Sequence, residues 1–218
     1  FYLLLLYLQS NLGIRAKDFT NRALPGFFCF LLYPRESIAR MAIKATVIKL
    51  DLTISDMDRD YYQQHNLTMA QHPSETEQRL ILRTIAFTLF AREGLQFTKG
   101  LSEDSVPDLW QKSLIDDIEL WIDLGQPDEK RIRKACHKAK QVIIFSYGDN
   151  AAKMWWKGVE SKAKGFKNLS VYHISTEQYN TLDLLMQRHL VLNASIQDAE
   201  LWLSDDKHSL HITPQQWL

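Results

Sequence analysis

The run Gln141–Tyr147 (QVIIFSY) constrains this chain more than any other segment. Its apolar residues are nearly continuous instead of alternating, the mark of a strand buried on both faces. On its N-terminal side, Asp128–Lys140 reads as a helix with Ile132, Ala135, Cys136 and Ala139 on one face. On its C-terminal side, Asp149 or Asn150 is placed to cap a helix through Trp155-Trp156, and Leu169–Ile174 reads as a further strand. With Ile118–Leu124 before them, these segments give the order β-α-β-α-β. At least three strands are therefore expected to be parallel. The fold class is α/β, a mixed sheet with that parallel core flanked by helices.

Around this core the periods change. Ile48, Leu50, Leu52 and Ile54 alternate with polar residues, and Ile43, Ala45 and Val47 alternate in the opposite phase. That predicts one long strand with a bulge or bend at Val47–Ile48. Tyr61–Met69 fits an antiparallel partner. Ser74-x-x-Glu77 predicts a capping box opening a helix that runs to about Arg92 and stops at Gly94. Its apolar residues leave only a narrow polar stripe of Glu75, Arg79 and Arg83, so the helix is expected to be buried on most sides. Phe97–Leu101 and Val106–Trp110 look like short strands. Ser175-x-x-Gln178 caps a helix of about a dozen residues by the same pattern. Leu190–Ile196, Leu201–Leu203 and Leu210–Ile212 read as short strands joined by turns.

Residues 1–40 carry no such pattern. The run FYLLLLYLQ is far shorter than the roughly 20 residues that cross a bilayer. It has no basic stretch before it and no small-residue cleavage motif after it. The first Met is Met41, where patterned sequence begins. Residues 1–40 are therefore expected to be a dispensable extension, read from upstream of a start at Met41. Residues 41–218 are expected to form one domain. No membrane association is expected, and two cysteines, Cys29 and Cys136, point to a reducing, cytoplasmic setting instead of a disulfide scaffold.

The chain has 26 basic and 26 acidic residues. A protein that grips long stretches of duplex nucleic acid is usually basic, so any nucleic-acid contact is expected to be local. Phosphate-loop, dinucleotide, zinc-protease and serine-hydrolase motifs are all missing. What remains is Pro107-Asp108 followed by Asp123-Leu124-Gly125. Carboxylates at the ends of neighbouring strands can share a hard cation such as Mg²⁺, with Glu75 or Glu77 as a third ligand. Equally, Asp108 can belong to a Pro-Asp turn, Asp123 to a solvated strand end, and both glutamates to helix capping and an i,i+4 pair with Arg79. The helix after Asp123 carries Lys130, Arg131, Arg133, Lys134, Lys138 and Lys140. These form either a phosphate-contacting face or an ordinary solvated one.

The segments HPSETEQRLILRTIAF, LQFTKGLSEDSVPDLW, LWIDLGQPDEKRIRKAC and LWLSDD, in that order, resemble the YaeQ family from Met41 onward. The resemblance implies a fold related to the PD-(D/E)xK, restriction-endonuclease-like superfamily. It also implies a Mg²⁺ site with Asp108 and Asp123 as metal-binding and catalytic residues, and nucleic acid as substrate. The chain departs from that pattern at Gly125, where the motif has the Lys that helps activate water. Lys134 or Arg131 is the nearest replacement in sequence. Lys130, Arg133 and Lys138 are the candidate nucleic-acid contacts. Two readings follow: a metal-dependent nuclease, and a catalytically silent nuclease-like module that binds nucleic acid or a protein partner. A lysine or arginine cation within about 4 Å of the two carboxylates favours the first. The oligomeric state is not legible.

Overall fold

Alternation from Ile48 to Ile54 becomes β1 (Thr46–Asp56), and a turn with Asp60 at φ 51° returns the chain as β2 (Tyr61–Gln71). The computed structural model describes residues 45–98 and 106–218. The β1–β2 register is unbroken from Thr46↔Gln71 to Asp56↔Tyr61. The bulge expected at Val47–Ile48 is therefore absent: Val47 lies exposed on the outer face and Ile48 is buried. Of the opposite phase, Ala45 and Val47 are exposed, and Ile43 lies outside the described residues.

Helix α1 (Glu77–Leu89) follows. Its N-cap is Thr76, whose Oγ1 accepts from the Arg79 N–H, so the Ser74/Glu77 capping box does not form. Ser74 bonds His72 instead, and Glu77 is solvent-exposed. The helix ends at Leu89, three residues early. Gly94, at φ 78°, serves the turn into β3 (Leu95–Phe97) and not the helix end. Then come β4 (Leu109–Lys112), β5 (Ile118–Leu124), α2 (Glu129–Lys138), β6 (Ala139–Tyr147), α3 (Asp149–Ala163) and β7 (Leu169–Ile174). Asp128 caps α2, accepting from the Arg131 N–H. Gly148, not Asp149 or Asn150, is the N-cap of α3. Ser175 caps the next helix as expected, but α4 (Thr176–Asn180) is only five residues long and gives way to a 3₁₀ turn, Leu182–Leu185. The chain closes with β8 (His189–Gln197), β9 (Glu200–Ser204), β10 (Ser209–Ile212) and β11 (Gln215–Gln216).

These strands form two sheets, where one mixed sheet was expected. The first has the order β10-β9-β8-β1-β2, and the second β11-β7-β6-β5-β4-β3. β5, β6 and β7 are parallel neighbours, as the β-α-β-α-β pattern requires. β8 is also parallel to β1, a pairing across most of the sequence that no local period could announce. One core joins the inner face of the first sheet, α1, and the Leu120, Ile122, Leu124 face of the second. Shared between both sheets, α1 is buried continuously from Arg79 to Thr88. A second core lies on the opposite face of β5–β7, where Trp121, Ile144 and Val171 pack under α2 and α3. β6 faces both cores, which explains its continuous apolar run. Among the described residues no helix is long and apolar enough to cross a membrane.

Candidate functional site

Asp108 precedes β4 and Asp123 lies near the end of β5. These strands pair antiparallel with Leu109 opposite Ile122, so the two aspartates are brought to the same level. Asp108 N–H reaches Ile122 O at 3.0 Å, and Leu124 N–H donates to Asp108 Oδ2 at 2.9 Å. Both carboxylates are buried, so neither is a solvated turn or strand-end residue.

Each is held by a guanidinium. Arg131, from the first turn of α2, grips Asp123 in fork geometry: Nε to Oδ2 at 2.9 Å and Nη2 to Oδ1 at 2.7 Å. The same Nη2 reaches Val106 O. Arg79, from α1, places Nη2 2.9 Å from both oxygens of Asp108. Only Oδ2 is aligned to accept, which leaves buried Oδ1 without a hydrogen bond. Nη1 of Arg79 donates to Glu75 Oε1 at 2.9 Å. Arg83, fully buried, donates to Glu75 Oε2 at 2.9 Å and to the carbonyls of Ala70 and Thr98. Glu75, Asp108 and Asp123 thus face Arg79, Arg83 and Arg131, three negative charges against three positive. The polar stripe of α1 is therefore not a solvent face but one side of this buried ionic cluster.

Burial pushes the Asp123 carboxyl above the usual carboxylate range, while its bonds and charge contact with Arg131 oppose the rise. The Trp121 indole N–H adds a weaker opposition without reaching hydrogen-bond geometry. Repulsion from Asp108 is the least of the contributions. Burial works against the charge of Arg79, but Asp108 and Glu75 outweigh it and raise its pKa. Burial likewise raises the hydroxyl of Tyr147, which stacks on Tyr179 at 4.4 Å, and Arg79 draws it back. Sequence reasoning missed Arg79, Arg83 and Tyr147 as parts of this cleft. The signal was present in the i, i+4, i+8 spacing of Glu75, Arg79 and Arg83, where a charged stripe ran through an otherwise apolar helix.

The donor set does not suit Mg²⁺. The ion takes near-octahedral oxygen ligands at about 2.0–2.1 Å. Both oxygens of Asp123, both of Glu75 and one of Asp108 already accept from arginine or backbone. Among the described residues no three His, Cys, Asp or Glu side chains converge as metal ligands. Glu77 points to solvent from the first turn of α1, away from any such set. Lys134 is also exposed and Arg131, not Lys134, is the cation that reaches an aspartate. Gly125, where the motif Lys is replaced, has φ 106°, and its N–H donates to Phe145 O at 2.8 Å. A side chain there is strained by the backbone itself.

On α2, Lys130, Lys134 and Lys138 share one exposed stripe at i, i+4, i+8, and none makes an ion pair among the described residues. Arg133 pairs instead with Glu129, and Lys140 with Glu119. Cys136 is half-buried, its thiol pushed up to about 11 chiefly by burial, so it is inert. A Ser-His-Asp chain not foreseen in the sequence joins Ser146 Oγ to His173 Nδ1 at 3.1 Å and His173 Nε2 to Asp149 Oδ1 at 3.3 Å. Ser146 and His173 are buried, and Asp149 also accepts from the Thr176 N–H. The chain ties β6, β7, α3 and α4 together and offers no reachable nucleophile.

A family model described as YaeQ protein matches residues 41–214. The chain is 44% identical over 177 residues to the protein YaeQ of Escherichia coli (strain K12), covering 81% of this chain and 98% of that relative. It is 43% identical over 177 residues to YaeQ of Salmonella typhi, with the same coverage. Among solved structures it is similar to the YaeQ protein from Xanthomonas axonopodis pv. citri, with TM-score 0.77 and 44% identity over 79% of this chain and 98% of that one. It is also similar to YaeQ from Pseudomonas syringae, with TM-score 0.76 and 30% identity over 80% and 96%.

Proposed function

The chain belongs to the YaeQ family, and from that premise we propose that it is a catalytically silent nuclease-like module that binds nucleic acid through its phosphates. The observation that carries this reading is the pairing of three buried carboxylates with three guanidiniums. A metal-dependent phosphodiesterase needs carboxylate oxygens free for the cation and a group able to take a proton from water. Arginine cannot serve as that base, because it keeps its proton throughout the working pH range. A cation does lie within 4 Å of each aspartate, the feature expected to favour an enzyme. Here the fork of Arg131 and the bond from Arg79 occupy the ligands instead of activating anything.

Placement of Pro107-Asp108 beside Asp123-Leu124-Gly125 on neighbouring strands supports kinship with the PD-(D/E)xK group. Retention of the acidic pair with arginine partners fits a cleft that has become a structural strut. The unpaired Lys130, Lys134, Lys138 stripe then supplies the phosphate contact. It needs no basic chain overall, only one local row of charge.

The test uses labelled single- and double-stranded DNA and RNA oligonucleotides with Mg²⁺ and Mn²⁺. The expected result is binding without cleavage, and binding at least tenfold weaker in the Lys130→Glu, Lys134→Glu, Lys138→Glu variant. Metal-dependent cleavage lost in Asp123→Ala would restore the enzyme reading. No binding to any oligonucleotide would leave a protein partner as the better reading.

A further inference from the structure

A groove of about 580 Å³ runs between α3 and the C-terminal strand, lined by Lys153, Trp156, Lys157, Glu160, Gln216 and Trp217. Nothing in the cleft of Asp108 and Asp123 reaches it. Trp217 is a fixed wall: its backbone N–H donates to Val171 O at 2.8 Å, its ring stacks on His173 at 4.3 Å, and Leu218 O accepts from the Val171 backbone N–H. Trp156 meets it at 5.9 Å between centroids and 40° between planes. Both indoles are only half-buried, and neither Nε1–H has a hydrogen-bond partner among the described residues. By contrast, Trp155 donates its N–H to Pro127 O at 2.7 Å, as a purely structural indole would. Lys153 and Lys157 flank Trp156 one turn apart, exposed and without a salt bridge among the described residues. The one carboxylate in the lining, Glu160, is neutralised by Lys164 at 2.6 Å. Asp149, a turn before Lys153, engages Thr176 and His173 through Oδ1 alone, and its half-exposed carboxylate feels the charge of Lys153 from outside the lining.

Among the described residues the groove therefore offers π-faces, two indole donors and two ammonium groups, and its lining holds no unpaired carboxylate. An aromatic anion complements that set, and a chain of them complements its open form. We propose that this groove binds single-stranded nucleic acid, with unpaired bases stacked on Trp156 and Trp217 and phosphates at Lys153 and Lys157. The proposal rests on the nucleic-acid reading above and adds a second surface to it, on the same α2–α3 layer as the lysine stripe. Duplex cannot use the groove, because its bases are already stacked on one another. The groove thus makes the protein prefer single strands.

The experiment measures binding of three fluorescein-labelled 12-mers to the full chain by anisotropy: oligothymidylate, an abasic strand of equal charge, and a duplex. Lys153→Glu/Lys157→Glu alters only exposed side chains, and Trp156→Leu is run beside it with its fold checked by circular dichroism. Expected are tenfold or tighter binding of oligothymidylate over the abasic strand, quenched tryptophan emission, and at least tenfold loss in the double lysine variant. If oligothymidylate binds but that variant binds it equally well, the groove proposal falls and the nucleic-acid reading stands. Equal affinity for the abasic strand overturns the stacking. If no 12-mer binds at all, both fall together. Should the wild type capture a phosphorylated peptide but no oligonucleotide, the groove belongs to a protein partner.

Discussion

Asp123 carries a sign that can be measured. Its folded pKa lies above the unfolded value of about 3.9, so between those values the folded chain binds more protons than the unfolded one. Its contribution to stability is full below about pH 4 and is lost as pH rises through the folded value. Arg131→Met removes the influence that opposes the rise, so this variant should lose more stability than wild type between pH 4.5 and pH 8. Asp123→Asn removes the titration and should flatten the same interval. It should not stabilise the fold, as relief of crowding with Asp108 alone would predict, because Arg131 is then left without its carboxylate. Thermal midpoints of the three proteins across that range decide it: an Asp123→Asn profile parallel to wild type would show that Asp123 does not titrate there. Gly125 gives a second residue-scale test. Restoring the motif with Gly125→Lys puts a side chain at φ 106°, which should cost about 1–3 kcal/mol and confer no cleavage. A stable Gly125→Lys protein with Mg²⁺-dependent nuclease activity would reverse the silent reading.

Helix α1 is where sequence and structure part most instructively. Its existence, its burial and its polar stripe were all legible, because a 3.6-residue period records which face is apolar. Its start was misread by two residues of frame. Ser74 and Thr76 are both good caps by type, and only the path of the chain decides which hydroxyl faces the free N–H groups. Here the Glu75 N–H turns back to His72 O, which leaves Thr76 at the helix entry. Thr76→Ala should therefore cost about 1 kcal/mol and Ser74→Ala much less; the reverse order in denaturant melts would reinstate the capping box. The stripe itself was legible as charge but not as a site, since spacing alone cannot say that Asp108 and Thr98 O come to meet it. Glu75 is the most demanding member, because its loss takes the carboxylate from fully buried Arg83 and one of two carboxylates from Arg79. Glu75→Ala should destabilise by about 3–5 kcal/mol, in the range for breaking a buried ion pair. A loss below about 1 kcal/mol would mean that water reaches these arginines.

At the scale of the whole molecule, the parallel β5-β6-β7 core was readable from the buried run of β6, whereas the division into two sheets was not. Pairing of β8 with β1 depends on residues more than a hundred positions apart, and loop closure over that distance leaves no local trace. Net charge, also a whole-molecule property, sharpens the functional test. With 26 basic and 26 acidic residues the chain has no long-range pull on a polyanion, so attraction has to come from the few lysines that touch phosphate. Affinity should then fall with salt at a shallow slope that counts those contacts. On duplex, three phosphates neutralised by Lys130, Lys134 and Lys138 correspond to about −2.7 in log K against log salt; on a single strand, Lys153 and Lys157 bring the count to five and the slope to about −3.5. Reversing the three charges should bring the duplex slope close to zero and leave about −1.4 on a single strand from the two lysines of α3, with the thermal midpoint within a few degrees, because the side chains are exposed and make no ion pair among the described residues. Anisotropy titrations at 50, 100 and 200 mM salt measure both slopes. A steep slope that survives the triple substitution would move the phosphate contact off α2, to the lysines of α3 or to another face of the molecule.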